Sequence, residues 1–90
     1  MAHEAGISKQ ESRMLDFVDR VTGLDAMYGY QDPHVTYLAK LAREAMNGTE
    51  GTRSERLAEF CQQVIDYNVT HSGQVVLNML ATEAGEALNG

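Results

Sequence analysis

Ninety residues make one domain, and a chain this short buries only about 60 to 65% of the surface its unfolded form exposes, so a second copy would widen a thin stability margin. Hydrophobic content of 43% with 22% charged residues is too apolar for intrinsic disorder, and 13 acids against 7 bases, a net charge of −6, oppose direct binding to a phosphate backbone. One cysteine excludes an internal disulfide, and no run is apolar and long enough for a signal peptide or a membrane span, so the expected location is the cytoplasm.

The charge is unevenly placed. No Lys or Arg follows Arg56, while Glu59, Asp66, Glu83 and Glu86 do. The closing third is therefore apolar and acidic, a poor surface for nucleic acid and a plausible one for another protein.

Residues 1–7 are expected to be flexible. Ser8 and Glu11 form a capping-box pattern, and a first helix is predicted from about Lys9 to Thr22, with Met14, Leu15, Val18 and Val21 as its buried stripe and Gly23 as its stop. Asp16 and Asp19 share a face off that stripe and are flanked by Arg13 and Arg20, which points to a solvated ion-pair surface rather than an acid and base couple.

The connection to the second helix holds Tyr28, Gly29 and Tyr30, with Tyr37 just beyond. Such rings are expected to fold back over the edge of the core, sealing the bundle end with their hydroxyls toward water; the alternative is that, as rings with polar tips, they form a protein interface. Asp32-Pro33 starts the second helix, because the aspartate can accept from the first turn and proline lacks only a donor that would be unpaired there. Val35, Leu38, Leu41, Ala42, Ala45 and Met46 carry its stripe, and Asn47-Gly48 closes it. His34, in the first turn, is expected to be neutral and exposed.

Thr52 with Glu55, or Ser54 alone, caps a third helix whose stripe is Leu57, Phe60, Cys61, Val64 and Ile65. Cys61 reads as a buried hydrophobe. A turn over residues 68–73 leads to a fourth helix from about Gln74 to Leu88, the other reading being one long helix bent at Gly73. In the fourth helix Val76, Leu80, Ala84 and Ala87 make one stripe while Val75, Leu77, Met79 and Leu88 spread apolar surface around it. A helix apolar on several sides is buried on several sides, so it is either the centre of the bundle or packs on a second copy, with Val75, Val76, Met79 and Leu80 at the dimer interface.

Strand patterns are missing, and the fold class is all-α: a single domain built as a small bundle or orthogonal array of about four short helices. Catalysis has little footing, since no serine or cysteine has a histidine near it in useful spacing. No pair of Cys or His stands at metal-ligand spacing, and no phosphate loop follows a strand, so neither metal nor cofactor is expected.

The functional expectation is a small non-catalytic protein that binds and regulates or inhibits another protein, as phage-type or mobile-element inhibitors do when they compete with nucleic acid for a basic site. Asp16, Asp19, Glu55, Glu59 and Asp66, with Tyr28 and Tyr30, are the candidate contacts, and a homodimer is the expected state. The alternative is a dimeric helix-turn-helix-like DNA-binding regulator built on the second and third helices. Lys40, Arg43, Arg53 and Arg56 separate the two: an exposed stripe of them favours nucleic acid, dispersal among acids a protein partner.

Overall fold

The computed structural model describes residues 7–90, so the expectation for the first seven residues falls, but for Ile7, outside the described residues. Four helices follow: α1 (Lys9–Tyr28), α2 (Pro33–Asn47), α3 (Arg53–Thr70) and α4 (Val75–Asn89). Their starts obey local capping chemistry. Ser8 Oγ accepts from the Glu11 backbone at 3.0 Å, Asp32 Oδ1 accepts from the His34 backbone at 3.0 Å, and Thr52 and Glu55 complete both bonds of a capping box at 3.1 and 3.0 Å. The box expected at Ser8 is only half made, because the Glu11 carboxylate turns to Arg53 instead.

The end of α1 differs from expectation. α1 does not stop at Gly23 but continues to Tyr28. Leu24 packs against the core, and Asp25 accepts from Thr36 Oγ1 at 2.9 Å and from Arg43 at 3.0 Å, so contacts with α2 hold the extra turn that glycine disfavours. The chain does break at Gly73, whose φ of +97° suits a residue without a Cβ, so α3 and α4 are separate helices.

Side-chain pairs set the topology. His34 meets Tyr67 while Arg56 meets Ala45, so α2 and α3 run antiparallel. Gln10 donates to the Leu88 carbonyl and Arg20 pairs with Glu83, so α1 and α4 do too. Glu11 with Arg53, and Phe17 with Phe60 at 5.7 Å between ring centres, place α1 and α3 parallel across the diagonal. The result is an up-down-up-down bundle rather than an orthogonal array. The α1–α2 and α3–α4 connections share one end, and the α2–α3 connection lies at the other.

Phe60, Met14, Leu38, Leu57, Leu77 and Leu80 form the centre of the core, with Cys61 buried beside Phe60. Burial pushes the Cys61 thiol up to about 11, because a thiolate would lose its water there. α4 turns Leu77, Leu80, Ala84 and Ala87 inward; Val76, expected to begin that stripe, is only partly buried. Among the described residues no helix is long and apolar enough to cross a membrane.

Candidate protein-binding surface

The arginines are turned inward on the chain itself. Arg53 Nε reaches Glu11 Oε2 at 2.8 Å, Arg43 reaches Asp25 at 3.0 Å, and Arg20 grips both oxygens of Glu83 at 3.1 Å. Arg56 bonds the carbonyls of Ala45, Glu50 and Gly51 at 2.9, 3.1 and 3.1 Å, and Arg13 bonds that of Ala87 at 3.3 Å. Arg13 and Arg20 thus serve α4 and not Asp16 and Asp19, which corrects the ion-pair surface expected within α1. Arg43 and Thr36 in turn hold the Asp25 carboxyl below its usual range, the hydrogen bond from Arg43 being the larger cause.

The acids divide between faces. Asp16 and Asp19 are exposed on α1, and Asp16 borders an open groove of about 580 Å³ between α1 and α4. That groove is rimmed by Arg13, Arg20, Glu83 and Glu86, charges of both signs of which Arg20 and Glu83 form an ion pair. Glu55, Glu59 and Asp66 are exposed on α3, and their spacing of four and seven residues puts them in one line. Because α1 and α3 are diagonal partners, their exposed faces point apart, so the five acids form two surfaces and not one.

Beside the α3 line runs a seam with α2. Two hollows of about 240 and 180 Å³ adjoin there, sharing Leu41 and Gln63. Tyr37, Asp66, Tyr67 and Thr70 complete the first, and Glu44, Ala45, Arg56 and Glu59 the second. The seam therefore has an apolar floor at Leu41, carboxylates along its walls, and aromatic rings at the end near the α3–α4 connection.

Those rings form a cluster that sequence reasoning missed. Tyr67 stacks on His71 with 3.9 Å between ring centres, lies 5.0 Å from Tyr37, and shares a 2.8 Å hydrogen bond through its hydroxyl with His34 Nδ1. His34 is thus half-buried, not exposed as expected, because α3 stands over the first turn of α2. Tyr67 is held protonated above its ordinary range, first by desolvation and then by the negative surroundings of Tyr37 and Asp32. Tyr37 leaves the loop tyrosines with which it was grouped and joins α3, while Tyr28 and Tyr30 stay exposed, Tyr30 at 84%. They do not cover the core. Tyr67 and His71 stand four residues apart, an i,i+4 pair that could have been found; their meeting with His34 could not.

Of the residues expected at a dimer interface, Val75 and Met79 are exposed, at 85% and 36%, but Leu80 is fully buried in the monomer's own core and Val76 packs against it. Leu80 is therefore not available as free surface and Val76 only in part, because α4 turns its Leu77–Leu80 side into the bundle. Among the described residues no group of three or more His, Cys, Asp or Glu is placed to hold a metal ion. Comparison with family models, curated proteins and solved structures returns no match for this chain.

Proposed function

We propose that this protein acts by binding another protein, without catalysis, and that its partner presents a basic surface of the kind that holds nucleic acid. The observation that carries this reading is the exposed line Glu55, Glu59 and Asp66 along α3, of which Glu59 and Asp66 border the seam with α2, and among the described residues none of the three is in an ion pair with an arginine. Carboxylates so arrayed attract Lys and Arg, speed encounter, and exclude phosphate from the same site. Arg53 and Arg56, which a DNA-binding reading would use, are engaged by Glu11 and by backbone carbonyls, and Arg43 by Asp25, which favours the protein partner.

The test is co-purification from the native host with the chain and with a variant carrying Glu55→Gln, Glu59→Gln and Asp66→Asn. Glutamine at 55 keeps the capping box, so the fold is spared. The partner should be captured by the wild type, released by raised salt, and lost with the variant; equal capture by both proteins would remove the α3 line from the function.

A further inference from the structure

The seam between α2 and α3 has a chemical asymmetry that the charge layout explains. At its aromatic end Tyr37, 43% exposed, stands over a hollow of about 240 Å³ whose floor is Leu41 and whose wall carries Asp66 and Thr70. One oxygen of Asp66 accepts from the neutral amide of Gln62 at 3.1 Å, and a carboxylate has capacity for further donors. The last turn of α3, where this hollow ends, holds no basic residue, so the partial negative charge of the helix end meets no Lys or Arg there. Glu59 and Glu44 extend the negative wall along the seam. Against them stand Arg56, already on three backbone carbonyls, and Lys40, which does not line the hollows but is three and four residues from Tyr37 and Glu44 and so neighbours both on α2. An aromatic face, a carboxylate, an apolar floor and a helix C-terminus all favour one ligand chemistry, a flat cation on an aliphatic stem.

The geometry points to this hollow as the receptor for an arginine side chain on a basic segment of a partner protein, with Tyr37 against the guanidinium, Asp66 paired with it and Leu41 beneath its methylenes. The inference rests on the proposed function and names the recognised group. A second copy of this chain is a poor donor, since its arginines are engaged within their own bundle. Nucleic acid is disfavoured by the same carboxylates. Arginine suits the site better than lysine because its planar guanidinium can stack on tyrosine while its N–H groups meet a carboxylate.

The experiment titrates the intact chain with short fluorescein-labelled peptides that alternate glycine with arginine, lysine or glutamate, reading anisotropy at low salt and the aromatic resonances of Tyr37 and Tyr67 by NMR. The arginine peptide should bind best, the lysine peptide more weakly and the glutamate peptide not at all, with the largest shifts at those two rings. Tyr37→Leu, which keeps an apolar side chain, and Asp66→Asn should each weaken binding by roughly twofold to fivefold. Asp16→Asn with Asp19→Asn should leave it unchanged. Equal affinity for arginine and lysine peptides together with wild-type binding by Tyr37→Leu would overturn the receptor site, as would absence of arginine-peptide binding. Loss of the native partner with the α3 acid variant, judged separately by co-purification, would then leave the broader reading in place.

Discussion

Glu11 shows how one residue can be read correctly for its local chemistry and still be assigned the wrong contact. Its backbone N–H closes the Ser8 cap as the local pattern requires, but its carboxylate, only 7% exposed as a residue, holds Arg53 at the start of a helix distant in sequence. Removing Arg53 would leave that carboxylate without its cation in a largely dehydrated place. Arg53→Ala is therefore expected to cost about 1 to 3 kcal/mol in urea unfolding, with Glu11→Gln milder because the amide oxygen can still accept. Cys61 gives a pH dependence of definite sign. Its thiol is raised from 9.0 to about 11 in the fold, so the unfolded chain loses this proton first. The protection is complete below pH 9 and is lost as pH rises from about 9 to about 11. Urea midpoints should fall across that window, and Cys61→Ala should flatten the fall while leaving the part due to Tyr67, which shifts in the same direction.

At the scale of elements, caps and apolar spacing located all four helices, and contacts between helices decided what remained. Gly23 has the local character of a helix stop, since glycine commonly ends helices, but Leu24 and Asp25 draw the next turn onto the core and α2. The register of α4 was ambiguous for a related reason: Val76 and Leu77 each lie a helical step from Leu80, and only packing selects Leu77. The site was less legible than the fold, since Tyr37 and His34 reach Tyr67 only once α2 and α3 have paired. The overrun at Gly23 carries its own prediction. This glycine is helical and exposed, and a Cβ added there would meet open space, so the helix bears glycine's entropic cost with no packing return. Gly23→Ala should stabilise by about 0.5 to 1 kcal/mol, seen as a melting point several degrees higher. Gly73→Ala, also in open space but at a φ of +97°, should do the reverse.

The whole molecule exposes its remaining large apolar side chains mostly at the end where the two short connections meet: Met27, Tyr28 and Tyr30 about the first, Val69 and Val75 about the second. Of its large apolar side chains α4 exposes Val75 and Met79, and Met79 lies beside the Arg20 guanidinium at 3.8 Å, next to the ion pair with Glu83. A stable interface buries roughly 1,600 Å² in total, with about 20 to 30 residues a side around an apolar centre, and these two side chains with a charged neighbour do not supply that centre. A net charge of −6 adds repulsion between copies. The chain is therefore expected to sediment as a monomer at micromolar concentration, against the dimer that the apolar spread of the α4 sequence suggests. Met79→Glu should change neither its mass in solution nor, beyond a few tenths of a kcal/mol, its stability, because the new carboxylate stays in water near Arg20. A wild-type dimer split by Met79→Glu would instead place the self-contact on α4. A dimer indifferent to that change but split by Val75→Glu or Tyr30→Glu would place it on the connection end, where the exposed apolar side chains are concentrated.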